Sequence, residues 1–304
     1  MAHLPQFPHF KPIGIEDRDI IQRILWMYQP QTSELTFTNL FIWRSHYGVE
    51  WSLYRDWLLV LCTSNTDGPY ALQPTGGPHR LEVVRMLLHW LRDERGVRQP
   101  RIDRAAQRLI SEIEDAEDLF VEPVRDHFDY VYRSEDLIRL VGRKYHSRRN
   151  HINTFLKAYT FNYDSLDEEH VEACLDVAAN WCERRRCEDD MSLMDEWEAV
   201  RQALIHFTSL KIQGGAIFVE GKVEAFTLGE LLNDETAVVH IEKANPDIRG
   251  LYAVINQQFC EKSWQKVPHV NREQDLGVRG LRQAKLAYHP ERLTEKFQIR
   301  LDGT

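Results

Sequence analysis

The sequence predicts a protein of the mixed α and β class, because strand-like and helix-like segments alternate along its 304 residues. The clearest unit has a strand at 237–244, a helix at 248–264 and a second strand at 268–275. This order predicts two parallel strands joined by a right-handed crossover. Hydrophobic residues make up 43% of the chain, which is enough apolar material for two packed cores.

In the first half, a helix is predicted at 14–28, since acids fill its first turn and Ile20, Ile24 and Met27 form one apolar stripe. β-Branched and aromatic runs then predict strands, and an apolar helical period ending at Gly96 predicts a long helix. The segments are two strands in GVEWSLYRDWLLVLC turning at Arg55-Asp56, a strand in YALQPT, the helix HRLEVVRMLLHWLRDERG, the strand PRIDRA and the helix AQRLISEIEDA.

The second half starts with the alternating strand FDYVYRSEDL and a helix in GRKYHSRRNHINTFLKAY, where apolar residues recur at helical spacing. Two more helices are predicted at 167–186 and 194–211. Turn residues then separate the strands GGAIFVEG, KVEAFTLGELL and TAVVHIEKA, and the chain ends with the helix GLRQAKLAY and the strand EKFQIRL. An acid-rich stretch at 112–126 is the expected boundary, giving domains at 1–125 and 126–304.

Charge and composition narrow the functional classes. The net charge of −9 argues against a protein that coats nucleic acid or anionic membranes non-specifically. The longest apolar run, WLLVLC, is too short to cross a bilayer, and the N-terminal residues lack the pattern of a secretion signal. Five scattered cysteines without metal-ligand spacing predict reduced thiols and no metal site. We therefore expect a cytoplasmic protein that is not integral to a membrane.

Polar residues gather where the two parallel strands are expected to end. Ligands collect beyond the carboxyl ends of parallel strands, and here these ends carry Glu242 on one strand and Glu273 and Asp275 on the other. If the second strand extends to 275, Asn271 shares a face with Glu273 and Asp275, while Arg272 points to the other side. The pattern indicates a polar crevice.

The helix after this strand carries further charged groups. Arg282, Lys285 and His289 share one helical sector, and an adjoining sector with Leu281, Ala284 and Tyr288 is expected to face the core. The charged sector therefore looks back at the polar strand end. A network of ion pairs that joins Glu273 and Asp275 to Arg282 and Lys285 is the alternative interpretation of the same pattern.

A basic segment at 139–151 is the second candidate. Positive patches on an acidic protein suit a phosphate-bearing substrate, and aromatic and amide side chains interleave with the charges here. The residues concerned are Arg143, Lys144, Tyr145, Arg148, Arg149 and Asn150. A solvated helix face is the alternative.

Four segments together resemble a bacterial family of unknown function that is grouped with the C-terminal catalytic domain of phosphatidylglycerol lysyltransferase. They are ELTFTNLFIWRSHYG (34–48), LVGRKYHSRRNHINTF (140–155), VVHIEKAN (238–245) and VNREQDLGVRGLRQAKLAYHP (270–290). The resemblance implies two tandem acyltransferase domains of the GNAT type, an arrangement shared with the Fem peptidoglycan aminoacyltransferases. In membrane-bound relatives this domain moves an aminoacyl group from charged tRNA to a lipid headgroup.

An aminoacyl- or acyltransferase acting on an amine or hydroxyl is therefore expected. Glu242, Glu273 and Asp275 are candidates to orient the nucleophile or accept its proton, and Lys285 and Arg282 to bind the oxyanion or a donor phosphate. The basic segment is the candidate for the tRNA acceptor end, and Asn271 and Tyr288 are candidate substrate contacts. Expected acceptors are a small molecule, a lipid headgroup or a peptide amine.

The donor is expected to be aminoacyl-tRNA rather than acetyl-CoA. GNAT enzymes that use acetyl-CoA carry a Q/R-x-x-G-x-G/A loop, and the matching segment here is DIRGLY. Gly250 fits the first glycine, but Asp247 and Tyr252 fit neither end. Two alternatives stay open: a CoA-dependent N-acetyltransferase, and a non-catalytic ligand-binding protein with this fold.

Overall fold

The computed structural model describes residues 4–63, 68–77 and 79–303, so part of the segment inspected for a secretion signal, residues 1–3, lies outside it. The first elements are β1 (Lys11–Pro12), α1 (Arg18–Tyr28), α2 (Phe37–Ile42), α3 (Arg44–Tyr47), β2 (Val49–Tyr54), β3 (Trp57–Cys62), β4 (Tyr70–Leu72), α4 (Arg80–Asp93), β5 (Arg101–Ala106), α5 (Gln107–Ile113), β6 (Leu119–Pro123) and β7 (Asp129–Arg133). Then follow α6 (Ser134–Arg139), α7 (His146–Ala158), β8 (Phe161–Ser165), α8 (Val171–Arg185), α9 (Met191–Ile205), α10 (Phe207–Leu210), β9 (Gln213–Val219), β10 (Lys222–Asn233), β11 (Thr236–Ala244), α11 (Leu251–Ser263), β12 (His269–Asn271), α12 (Arg279–Leu286), β13 (Arg292–Thr294) and β14 (Lys296–Leu301).

The chain forms two compact units that do not follow chain order. The first comprises Met1–Asp129, Gln274–Gly277 and Leu293–Thr304, and the second comprises Tyr130–Glu273 and Val278–Arg292. The last strand, expected in the second domain from the sequence, belongs to the first unit. The physical reason is pairing, because β14 bonds to β5 on one side and to β6 on the other.

The first unit is built on a sheet with the strand order β1-β2-β3-β4-β5-β14-β6. Its β4 and β5 are parallel, and the predicted β2–β3 hairpin turns at Arg55, which adopts a positive φ of 53°. Every residue of β3 is buried, as expected for a continuously apolar strand in the middle of a sheet. Helix α4 packs on this sheet through Val84, Leu88 and Leu91.

The second unit contains the strand order β13-β7-β12-β11-β10-β9-β8. The predicted strand–helix–strand unit is confirmed, since β11 and β12 are parallel with Val238 opposite Asn271. Helix α11 connects them and buries Val254, Ile255 and Phe259. Of the side chains that the sequence marks as a candidate site, Glu242 lies on β11 and Asn271 on β12.

Strand β12 is shorter than predicted. It ends at Asn271, whose side-chain oxygen accepts a hydrogen bond from the Glu273 N–H at 2.7 Å, and Glu273 adopts a positive φ of 56°. This local turn competes with the ladder and ends the strand. The predicted common face of Asn271, Glu273 and Asp275 is therefore wrong.

The buried side of α12 also differs from the prediction. Leu281 and Ala284 are exposed, whereas Lys285 is buried. The Lys285 ammonium donates to the carbonyls of Arg272 and Glu273 at 2.6 and 3.1 Å. These carbonyls follow the end of β12, so a long cation reaches in where an apolar side chain would leave them unsatisfied.

The expectation of reduced cysteines is wrong for one pair. Cys182 and Cys187 form a disulfide across the end of α8, where Arg186 at φ 53° turns the chain and brings the two Cα atoms to 5.2 Å. Cys62, Cys174 and Cys260 are buried free thiols.

Candidate functional site

Four side chains from separate elements of the second unit meet in one place, which we call the Tyr288 cluster: Arg148, Glu242, Arg272 and Tyr288. Arg148 lies on α7, Glu242 on β11, Arg272 directly after β12, and Tyr288 after α12. The guanidinium carbons of Arg148 and Arg272 lie 4.8 and 5.0 Å from the centre of the Tyr288 ring. Two cations therefore lie close to the same phenol ring.

Two side-chain donors hold Glu242 in place within this cluster. One oxygen accepts a hydrogen bond from Arg272 Nη2 at 2.9 Å, and the other accepts one from Asn256 Nδ2 at 3.2 Å. Burial is the largest single influence and acts to lower the pKa of Arg272, but the charge of Glu242, together with smaller contributions from Tyr132, Tyr288 and Cys260, raises the pKa overall. Arg272 and Asn256 together therefore fix the orientation of the Glu242 carboxyl group.

Tyr288 keeps its proton at neutral pH. Burial raises the pKa of its phenol, although the charges of Arg272 and Arg148 oppose this. A neutral phenol close to two guanidinium groups supplies a hydrogen-bond donor next to two positive charges. Such an arrangement suits an anionic oxygen.

Arg148 is the member of the cluster with donor capacity to spare. Its side chain is half-buried, and within the described part of the chain its Nε is buried without a hydrogen-bond partner. A buried donor of this kind is normally satisfied by protein, water or ligand. Arg148 is therefore the residue best placed to meet a substrate.

Lys285, which the sequence marks as a catalytic candidate, binds main-chain groups next to the cluster. Besides its bonds to the carbonyls of Arg272 and Glu273, its own carbonyl accepts a hydrogen bond from Tyr132 Oη at 2.8 Å. The Tyr132 ring meets the Tyr288 ring edge-on at 6.4 Å. Lys285 thus fixes the chain that carries Arg272.

The predicted catalytic residue Glu273 takes part in a separate buried triad. His240 Nδ1 lies 2.8 Å from Glu273 Oε1, and its Nε2 lies 3.0 Å from Glu230 Oε1. Burial opposes the charged imidazole, but the hydrogen bonds and charges of the two glutamates prevail and raise the pKa of His240 to about 9. A protonated His240 therefore holds two carboxylates.

Three further predicted site residues are Asn271, Asp275 and Arg282. Asn271 and Asp275 are fully buried, and Asp275 accepts from the Gly277 N–H at 2.9 Å and pairs with Arg125 at 3.4 Å. Asp275 belongs to the first unit, whereas Arg282 is half-buried on α12. Glu273 with His240, and Asp275 with Arg125, are ion pairs that the sequence-based alternative did not include.

The basic segment contributes Arg148 to the cluster and uses several other members locally. Arg149 donates to the carbonyls of Leu140 and Gly142, and Lys144 lies 3.6 Å from Asp136. Other members are placed as follows: Tyr145 is buried with its ring 5.5 Å from that of His289, Asn150 is exposed and contacts His146 at 3.3 Å, and Arg143 is exposed.

Sequence reasoning missed Asn256 and His240. Asn256 was the detectable one, because it is a polar residue within the apolar segment of α11. His240 lies two residues before Glu242 in a strand, so the alternation of side chains gave it the same face. Both signals depend on knowing which face of the strand is the polar one.

The DIRGLY loop does not form an anion cradle. The N–H groups of Asp247, Ile248 and Leu251 are bonded within the loop, to the Asn245 side chain and to the carbonyls of Asn245 and Ile248. The carboxylate of Asp247 contacts Arg184. Amides already engaged, beside an acid, are poorly suited to a pyrophosphate.

Comparison with known protein families identifies the family of this chain. Residues 27–300 match the family described as "Phosphatidylglycerol lysyltransferase, C-terminal". The chain belongs to this family. The predicted family is thus confirmed.

Solved structures of relatives share the fold. A conserved protein of unknown function from Bacteroides thetaiotaomicron is 32% identical, with 96% of this chain and 99% of that chain covered and a TM-score of 0.89. L-PGS from Bacillus licheniformis is 13% identical over 100% and 95% of the two chains (TM-score 0.65), and FemX is 8% identical over 95% and 96% (TM-score 0.60). The predicted fold class, two tandem GNAT-like domains of mixed α and β structure, is confirmed.

One curated relative matches over a shorter range. An uncharacterised protein of Mycoplasmoides gallisepticum is 23% identical over 186 residues, which cover 57% of this chain and 56% of that protein.

Among the described residues, none of the helices has the length and apolar character to span a membrane, and no cluster of three or more His, Cys, Asp or Glu side chains is placed to hold a metal ion.

Proposed function

We propose that the protein is an aminoacyl- or acyltransferase whose active site is the Tyr288 cluster. The observation that carries the proposal is the pair of guanidinium groups within about 5 Å of one neutral, buried phenol ring, with Glu242 bonded to one of them. Membership of a lysyltransferase family supports the same reaction class. Aminoacyl-tRNA is the proposed donor, and a lipid headgroup, a peptide amine or a small molecule is the proposed acceptor.

The reaction demands what these residues can supply. An amine or hydroxyl of the acceptor attacks the ester carbonyl of the donor, a tetrahedral oxyanion forms, and the ester C–O bond then breaks while the acceptor loses a proton. In the proposal, Arg148 and Tyr288 stabilise the oxyanion or an adjacent phosphate. Glu242, held by Arg272 and Asn256, orients an ammonium or hydroxyl group of the substrate.

Lys285, Arg149 and Asp275 receive no chemical role in the proposal. Their polar atoms hold main-chain groups or an ion pair within the fold. The engaged amides of the DIRGLY loop support aminoacyl-tRNA over acetyl-CoA as donor.

Arg148→Ala should reduce aminoacyl transfer by at least a hundredfold while the protein stays folded. The expected size is that of losing one donor to a developing oxyanion. The measurement is turnover of charged tRNA with a mixture of amine acceptors and phosphatidylglycerol vesicles. Lys157→Ala, at an exposed position of the same helix, is the matched control and should keep full activity.

Three results would contradict the proposal. Equal activities of the Arg148 and Lys157 variants would remove the Tyr288 cluster from the chemistry. Saturable micromolar binding of acetyl-CoA in calorimetry, with acetyl transfer to an amine, would favour the CoA-dependent alternative. Absence of turnover with either donor would favour a non-catalytic binding protein.

A further inference from the structure

A cavity of about 780 Å³ lies entirely within residues of the first unit. It opens at the amino ends of the parallel strands β4 and β5, next to the connection from α4 to β5 and to β14. Its described lining includes five arginines and one acid: Arg95, Arg98, Arg101, Arg104, Arg300 and Asp103. A strongly positive lining is unexpected in a chain with a net charge of −9.

Arg101 is the most informative of these residues. Its side chain is 91% buried, yet within the described residues its nearest carboxylate oxygen is Asp103 Oδ2, at 3.9 Å from Nε. The guanidinium lies 4.9 Å from the centre of the Tyr70 ring. That distance to Asp103 is too long for a hydrogen bond, so a buried cation has donors that the protein leaves unused.

Arg104 holds the wall of the cavity in place. Its guanidinium donates to Tyr70 Oη at 2.9 Å and to Tyr47 Oη at 3.3 Å, and its Nε lies 3.3 Å from Glu34. The residue adopts a positive φ of 56° inside β5, which redirects the strand at this point. The two tyrosines and Arg104 thus form a fixed base beside Arg101.

The remaining arginines lie nearer to solvent. Arg95 and Arg98 are exposed on the connection between α4 and β5, and Arg300 pairs with Glu122 at 2.7 Å. Cations at the rim attract an anion, and buried cations hold it once water has been displaced. The gradient from exposed to buried arginines is what a binding cavity for an anion requires.

We propose that this cavity binds a small molecule that carries a pyrophosphate group. Guanidinium groups donate in a planar fork that matches phosphate oxygens, and the lining supplies several of them without a lysine among the described residues. The volume falls in the range of small-molecule sites, roughly 300 to 1,000 Å³. The proposal does not rest on the function proposed for the Tyr288 cluster, because the two sites share no residue.

The test is a calorimetric titration of the full chain with inorganic pyrophosphate at constant ionic strength. Saturable binding at one site is expected, and Arg98→Glu should weaken it at least tenfold. Arg23→Glu, at an exposed helix position of the same unit outside the cavity, makes the same change in net charge and should leave the affinity unchanged. Arg101→Met should also weaken binding tenfold or more, and its melting curve reports whether it folds.

Three outcomes would overturn the proposal: no saturable binding, equal weakening by Arg98→Glu and Arg23→Glu, or citrate binding as tightly as pyrophosphate. Absence of saturable binding would show that the cavity is not a pyrophosphate site. Equal weakening by the two variants would show that only general charge attraction acts, and tight citrate binding would show that the cavity does not prefer phosphate. The exposed position of Arg98 keeps the test decisive if Arg101→Met does not fold. Failure of this test leaves the Arg148→Ala experiment unaffected, and the reverse also holds.

Discussion

His240 shows how a single buried residue makes stability depend on pH. Its pKa in the folded protein is about 9, above the 6.5 of an ordinary histidine, because Glu230 and Glu273 hold its charged form against the effect of burial. Folding therefore takes up a proton at neutral pH. The corresponding stabilisation is about 3 kcal/mol, complete below pH 6.5 and lost as the pH rises through 9.

The free energy of unfolding should fall by about 3 kcal/mol more in the natural protein than in a His240→Gln variant between pH 6.5 and 9.5. Glutamine cannot carry the charge, so it removes this contribution at every pH. Urea denaturation followed by circular dichroism at a series of pH values measures the difference. Parallel pH curves for the two proteins would show that His240 is not the titrating group.

At the scale of residues, sequence reasoning identified charged groups but not their partners. Arg148, Glu242 and Tyr288 were named as candidates, and the structure brings them together with Arg272. Lys285 was predicted to face the polar strand end, as a catalytic group or an ion-pair partner of the acids there, and its ammonium is bound by main-chain carbonyls. Those carbonyls can accept hydrogen bonds from Lys285 because the chain turns at Glu273, which has a positive φ. The sequence contains no pattern that predicts this positive φ.

At the scale of elements, the loop between β11 and α11 is fixed by one glycine. Gly250 adopts a φ of +90°, and a Cβ atom there would lie 2.2 Å from the carbonyl oxygen of His151 on α7. Close approach of α7 to this loop therefore requires glycine. The contact also places α7, which carries Arg148, beside the start of α11.

Gly250→Ala should lower the free energy of unfolding by about 2 kcal/mol or more, because backbone strain and a steric clash add. Gly280→Ala is the matched control: nothing lies within 4 Å of its Cβ position in α12, and alanine should raise the stability by about 0.5 kcal/mol. Urea denaturation measures both. A similar effect of the two substitutions would contradict the close packing at Gly250.

The element pattern was largely predictable, and the lengths were less so. Periodicity and turn residues located the helices and the strands of the strand–helix–strand unit, because apolar spacing reflects which face is buried. The end of β12 was not predictable from spacing. The Asn271 side chain accepts a hydrogen bond from the main chain two residues ahead, and this bond ends the strand. The order of polar residues in the sequence does not reveal that bond.

At the scale of the whole molecule, a buried charge cluster joins distant parts of the chain within the first unit. Lys296 is fully buried, and its ammonium donates to Asp129 at 2.6 Å, to Glu34 at 2.7 Å and to Ser33 and Gln274 at 3.3 Å. These residues come from four separate segments. Burial raises the pKa of Glu34, and the charge of Lys296 opposes that shift.

Lys296→Met should lower the free energy of unfolding by about 4 kcal/mol, because it removes the buried cation that Asp129 and Glu34 share. Arg23→Met, at an exposed position of the same unit, should change it by less than about 0.5 kcal/mol. Guanidinium denaturation measures both effects. A small effect at Lys296 would contradict a stabilising role for this buried ion-pair cluster.

The arrangement of the two units was the part that local pattern did not reveal. From the sequence alone, the last strand is assigned to the second domain, because it follows the polar helix after a short turn. Its place between β5 and β6 is set by pairing across about 170 to 200 residues, which depends on tertiary packing alone. No window of neighbouring residues contains that information.

The position of β14 has a consequence for biosynthesis. Strands β5 and β6 are joined through β14, so the sheet that begins the chain stays incomplete until residues 296–301 have left the ribosome. Residues 130–273, by contrast, emerge earlier with nearly all of their own sheet. The first sheet is therefore started first but completed last. Until residues 296–301 are available, the nascent N-terminal half has two unpaired strand edges, the condition in which chaperones protect a growing chain.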